Sequence, residues 1–172
     1  MAEDRRAVLK VLSLTLGAGA AGSVGGPLIG ALVGPARIRT VFGADGFVRV
    51  GPLESLPEDG VAVALEVVVE HPKDAWSALP STVVGAVYVA KRGDGVAAYS
   101  TVCPHLGCRV EVGDGGSAFV CPCHDSAFGP DGAVLSGPSP RGLDPLEARV
   151  VDGFVEVRFV RFKSGTPDRV VV

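Results

Sequence analysis

Between Val11 and Ala36 the chain carries no charged side chain, and beyond that stretch short β-branched runs alternate with turn residues. The uncharged stretch is long enough to cross a hydrocarbon layer, which takes about 20 helical residues. It predicts a single N-terminal transmembrane helix. Further on, "GVAVALEVVVE", "STVVGAVYVA", "GVAAYS", "GSAFVC", "LEARVV" and "FVEVRFVRF" read as strands bounded by turn residues. The last two are separated by Asp152-Gly153, a strong hairpin signal. "KDAWSAL", with the single Trp76, is one turn of helix or a loop. There is no long amphipathic helix and no internal repeat. The pattern predicts an all-β fold, an antiparallel β-sandwich or small barrel.

This patterning divides the 172 residues into three parts. Residues 1–36 form a signal-like anchor, 37–46 a flexible hinge with Gly43 and Gly46 as pivots, and 47–172 the folded domain. Arg5, Arg6 and Lys10 precede the apolar stretch while Arg37 and Arg39 follow it, a difference that favours a cytoplasmic N-terminus. "RRAVLK" is similar to a twin-arginine export signal, used by proteins that fold around a cofactor before crossing. Ala18-Gly19-Ala20 offers the alternative of a cleavage site. Apolar character continues past it through "GGPLIGALVG", which favours a retained anchor. Gly22, Gly26, Gly30 and Gly34 would stack on one face of a helix and let a membrane partner approach closely. Pro27 within the same run supports the other reading, a flexible glycine-rich linker.

Composition adds little. With 24 glycines and 13 prolines, turns and short strands are favoured over long helices. A net charge of −3 gives no sign of a nucleic-acid surface, so no nucleic-acid partner is expected.

The chemistry is concentrated in two short segments. "CPHLGC" (Cys103 to Cys108) and "CPCHDS" (Cys121 to Ser126) hold all four cysteines and two of the three histidines. Each offers one sulfur and one nitrogen, Cys103 with His105 and Cys121 with His124, and each holds a further cysteine, Cys108 or Cys123. A zinc-binding loop could use such donors, although zinc sites usually pair cysteine with cysteine and histidine with histidine along the chain. A pure disulfide framework leaves the two histidines unexplained. The third histidine, His71 in "EHPKDAW", reads as a solvated loop residue.

At these residues the sequence resembles the Rieske iron–sulfur proteins, whose pattern is C-x-H-x-G-C with C-P-C-H. The resemblance implies one [2Fe–2S] cluster, with Cys103 and Cys121 on its inner iron and His105 and His124 on its outer iron. It further implies a Cys108–Cys123 disulfide across the two loops, in keeping with an oxidising compartment. The fold it implies is a Rieske-type sandwich with an inserted cluster-binding subdomain, about residues 101–147.

Three features are similar to the quinol-oxidising subfamily of cytochrome bc and bf complexes: the second cysteine pair, the loop "SGPSPRGLDPLE", and the anchor with its glycine-rich tail. That similarity implies an oxidoreductase subunit of a bacterial complex. It would take an electron and a proton from quinol and pass the electron to a c-type cytochrome, beside a membrane cytochrome b. The domain would lie on the periplasmic side of the cytoplasmic membrane. It gives His124 the hydrogen bond from quinol, Leu106 the shielding of the cluster, and Ser126 a hydroxyl bond to a bridging sulfide. An ordinary turn serine remains the other reading of Ser126. Asp125 stands where glycine is common, and Phe128 where the highest-potential members place a tyrosine. The alternative function is the exported Rieske small subunit of an arsenite oxidase, beside a molybdenum subunit. A zinc-stabilised binding module is a third reading.

Overall fold

The computed structural model describes residues 2–33, 45–70, 72, 80–113 and 118–172. His71, Trp76 with the rest of "KDAWSAL", Gly34 and most of the expected hinge (37–44) lie outside these residues. The N-terminal helix and the β-rich remainder belong to two units, each taken by itself below.

Helix α1 runs from Ala2 to Val33. Arg5–Leu32, 28 residues with mean hydropathy 1.5, is long and apolar enough to cross a membrane. Two of its hydroxyls are satisfied within the helix: that of Thr15 lies 3.0 Å from the Val11 and Leu12 carbonyls, and that of Ser23 donates to the Ala20 carbonyl at 3.0 Å. The helix continues through Pro27, so the flexible-linker alternative does not hold as far as Val33. A methyl group added at Gly22, Gly26 or Gly30 would meet nothing within 4 Å, so this face is open.

Among the described residues the remainder is built from eleven strands: β1 Phe47–Pro52, β2 Val63–Val69, β3 Thr82–Arg92, β4 Gly95–Ser100, β5 Glu111–Val112, β6 Phe119–Cys121, β7 Ser126–Phe128, β8 Val134–Ser136, β9 Pro145–Leu146, β10 Ala148–Val151 and β11 Phe154–Arg158. They form three sheets, in the orders β1-β11-β10, β2-β3-β4-β9 and β5-β6-β7-β8. Every ladder is antiparallel. The β10–β11 turn has Asp152 at φ 50° and Gly153 at φ 78°. Two successive left-handed residues are what a tight two-residue hairpin requires.

Strand β3 explains how two cores share one scaffold. Successive residues of a strand face opposite sides, and Val87, Tyr88, Val89 and Ala90 are all buried. Val87 and Val89 join Val67, Ala98, Leu146, Val155 and Val157 in the core between the first two sheets. Tyr88 and Ala90 face the other way, into a second core with Val110, Phe119, Phe128, Leu143, Cys103 and Cys121. The Tyr88 hydroxyl donates to the Val110 carbonyl at 2.7 Å, so its polar end is satisfied there. The third sheet is therefore an inserted subdomain whose core holds two of the four cysteines.

Candidate metal centre

Two loops of this subdomain carry the expected site. The first, between β4 and β5, is closed by a Val102–Arg109 bridge and by the Cys103 N–H donating to the Cys108 carbonyl at 2.7 Å. The Gly107 N–H donates back to the Cys103 carbonyl at 3.0 Å. The second is the tight turn between β6 and β7, where Cys121 pairs with Ser126 and the Asp125 N–H reaches the Cys121 carbonyl at 3.1 Å. Asp125 has φ 56°, the left-handed conformation that explains why glycine suits this position and why Asp is tolerated.

The loops bring the expected residues together. Cys103 and Cys121 are free thiols at 0% and 1% exposure, whereas His105 is half-buried and His124 exposed. The two imidazoles meet edge to face with centroids 4.8 Å apart. Burial pushes the Cys103 thiol up, and the Cys121 sulfur beside it adds to the rise. The N–H groups of His105 and Leu106, directed at the Cys103 sulfur, oppose that rise. Two adjacent buried sulfurs are poor anions by themselves, and a cation bound between them would remove the penalty.

Cys108 and Cys123 are bonded to each other, with an S–S distance of 2.13 Å. The Cys121 sulfur lies within 4.8 Å of both, yet two of these three sulfurs have no thiolate left to offer a metal. Replacing Cys108 and Cys123 by alanine should cost about 3 kcal/mol, the chain-entropy figure for a closed loop of about 15 residues. Urea denaturation of the oxidised protein measures it, and an unchanged midpoint would deny the bridge a stabilising role.

The donor set and one further atom fit a [2Fe–2S] cluster. Ser126 is fully buried, and among the described residues its Oγ is the one buried side-chain oxygen or nitrogen without a hydrogen-bond partner. An unpaired buried hydroxyl costs about 1–3 kcal/mol. A sulfide acceptor would remove that cost, as the ordinary turn-serine alternative does not. The loop expected to cover the site packs onto this same turn: a Cβ on Gly137 would lie 2.4 Å from the Ser126 Cα.

Phe128 is fully buried in the core that holds Cys103 and Cys121. Phe128→Tyr should raise the midpoint potential by tens of millivolts, because a hydroxyl bond to a ligand sulfur favours the reduced, more negative state. Such bonds contribute about 1.5–3 kcal/mol, and about 1.4 kcal/mol corresponds to roughly 59 mV for one electron. Protein-film voltammetry reads the shift directly; a lower potential would reverse the charge argument.

Sequence patterning missed two features. Arg141 and Asp144 form a buried, two-pronged ion pair, with Arg141 Nε to Oδ1 and Nη2 to Oδ2 both at 2.8 Å. The segment after β11 returns to the first loop, where the Gly165 N–H donates to the Pro104 carbonyl at 2.8 Å. The ion pair joins residues three apart but follows no periodic pattern or motif, and the Gly165–Pro104 contact joins residues distant in sequence.

A family model described as the Rieske [2Fe-2S] domain matches residues 48–149. The chain is 35% identical over 71 residues to the cytochrome b6-f complex iron-sulfur subunit of Chlorobaculum tepidum, covering 41% of this chain and 39% of that protein. It is 40% identical over 96 residues to the putative respiratory nitrate reductase subunit Rieske of Haloferax mediterranei, covering 55% of this chain and 40% of that protein. The aligned region spans about two fifths of the length of each of these relatives. The plasma membrane Rieske protein PetC3 from Synechocystis PCC 6803 is a structural neighbour at 28% identity and TM-score 0.47, covering 65% of this chain and 99% of that one. The family match takes in both cysteine loops and more than half of the chain, and the chain belongs to the Rieske [2Fe–2S] domain family, whose domain binds a [2Fe–2S] cluster.

Proposed function

We infer that this chain is the membrane-tethered electron-transfer subunit of a bacterial cytochrome bc-type complex, a quinol:cytochrome c reductase. The observation that carries the reading is the pairing of two buried thiols with two outward imidazoles 4.8 Å apart, on loops joined by a disulfide. Cys103 and Cys121 would hold one iron of the cluster, and His105 and His124 the other. When bound, the cluster supplies a one-electron acceptor whose potential is raised by its two imidazole ligands.

The chain's own residues do the rest. His124, exposed at the tip of the second loop, accepts a hydrogen bond from the quinol hydroxyl at the ring nitrogen not engaged with iron, and takes up its proton there. Leu106, 64% exposed beside His105, gives an apolar surface for docking and shields that flank from water. Ser126 would offer its buried, unpartnered hydroxyl to an acceptor of the bound cluster.

The proposed organisation is an anchor at 1–36, a hinge at 37–46 and a head at 47–172, with cluster loops within about 101–147. Arg5, Arg6 and Lys10 keep the N-terminus cytoplasmic, so the head works on the periplasmic side. The partners are a membrane cytochrome b and a c-type cytochrome, supported by relatives named as cytochrome b6-f subunits.

The relative named as a nitrate reductase Rieske subunit favours a second reading, service to a different respiratory reductase. The arsenite oxidase alternative is likewise service to an oxidoreductase other than a bc-type complex. Purifying the membrane complex and identifying its subunits separates the two. A co-travelling cytochrome b supports the main reading, and a molybdenum subunit in its place overturns it.

A further inference from the structure

Each cluster loop is backed by a segment that is not part of the cysteine motifs. Against the second loop lies the turn at 137–140: Gly137 sits on the Asp125–Ser126 backbone, and Ser139 Oγ donates to the Arg141 carbonyl at 2.7 Å. Against the first loop lies the C-terminal segment. There the Gly165 N–H donates to the Pro104 carbonyl at 2.8 Å, and a Cβ on Gly107 would come within 3.6 Å of Ser164 Oγ.

Arg141 touches both backing segments. It follows the 137–140 turn directly in the chain, and its guanidinium reaches into the C-terminal segment. Nη2 donates to the Lys163 carbonyl at 3.0 Å, and Nη1 donates to the Thr166 carbonyl. Its remaining donors face the Asp144 carboxylate, which also meets Arg169 Nε at 3.3 Å. Asp144 is fixed in turn, because its own carbonyl accepts the Ser100 N–H at 2.9 Å, at the end of β4 where the first loop begins. Both side chains are buried, at 6% and 4% exposure. A planar fork that serves one carboxylate and two carbonyls together uses geometry that a lysine ammonium lacks.

We propose that Arg141 is a positioning residue for the cluster: it ties the C-terminal segment at 163–166 to the turn at 137–140 and so holds the two cysteine loops in fixed relation. The proposal rests on the ligand reading above. The tie fixes the Pro104 carbonyl through Gly165, and Pro104 lies directly between Cys103 and His105 in the chain, so it holds the spacing of these two ligands. Backbone N–H groups that bond a ligand sulfur favour the reduced, more negative state, so loosening this loop lowers the potential.

The test uses the full-length protein in membranes or detergent. In the unmodified protein trypsin should spare the bond after Lys163, although that side chain is exposed, because its carbonyl is held. Arg141→Gln leaves Asp144 charged and buried, so Arg141→Gln/Asp144→Asn, with two neutral amides, is the second arm. Both should keep a Rieske-type EPR signal. Amide exchange at Gly165 should be at least about tenfold faster, with cleavage after Lys163 and a lowered midpoint potential. Arg141→Lys should not restore these properties. Unchanged exchange and potential in the folded double variant would overturn the proposal, as would full rescue by lysine or rapid cleavage of the unmodified protein. An unmodified, iron-loaded protein without the EPR signal would instead overturn the ligand reading on which the proposal stands.

Discussion

Gly137→Ala should destabilise the head by roughly 2–5 kcal/mol and loosen the second cysteine loop. The added methyl carbon would lie 2.4 Å from Ser126 Cα, 2.7 Å from the Asp125 carbonyl oxygen and 2.8 Å from the Ser126 nitrogen. All three are backbone atoms, so no side chain can rotate away to make room. Overpacking of this kind typically costs about 1–3 kcal/mol. Gly137 also has φ 90°, and a left-handed backbone adds about 1–2 kcal/mol for a residue with a Cβ. Gly93→Ala separates the two contributions, because Gly93 has φ 54° and nothing within 4 Å of its added Cβ. That control should lose only the backbone part. Urea denaturation of both variants, with visible circular dichroism of the bound cluster, makes the comparison. Equal losses would mean that the turn does not press on the cysteine loop.

What could be read from the sequence follows from the range of the forces involved. The Asp152-Gly153 hairpin was legible because two left-handed residues restrict the side chains a turn accepts. The long runs that became β2, β3 and β4 were legible because β-branched residues favour an extended, half-buried surface. The cysteine loops were legible because ligand spacing is local. Strands β5, β7, β8 and β9 were not, having only two or three residues each and owing their extension to neighbours. β1 was hidden by Gly51-Pro52, residues that read as a turn, and its ladder with β11 shifts register at this point.

The expected last strand, "FVEVRFVRF", was too long. Ladder pairing stops at Arg158, and Phe159 lies across β3, where a Cβ on Gly85 would be 2.5 Å from its ring. A pattern of alternating apolar residues cannot show that a chain leaves its sheet to pack an aromatic ring over a glycine. The same limit hid Arg141. In sequence it is one more charged residue in a proline-rich turn, and only the returning C-terminal segment makes it a buried fork.

Ser126→Ala should act in opposite directions on the protein without its cluster and on the loaded protein. The hydroxyl is buried and no protein group bonds it. Removing it should leave the polypeptide as stable or stabilise it by about 1–3 kcal/mol, the cost of an unpaired buried polar group. On the proposed reading the hydroxyl donates to a sulfide of the bound cluster, and reduction adds one negative charge to that acceptor. A bond to a charged acceptor is worth about 1.5–3 kcal/mol. If most of that value appears only on reduction, it corresponds to a drop of roughly 60–130 mV at about 59 mV per 1.4 kcal/mol. Phe128→Tyr adds a donor where Ser126→Ala removes one, so the double variant should fall between the two singles. Voltammetry of the loaded protein and urea denaturation of the cluster-free protein measure the two halves separately. A Ser126→Ala variant with unchanged potential would return Ser126 to an ordinary turn residue, and a marked loss of stability in the cluster-free protein would show that its hydroxyl already has a partner.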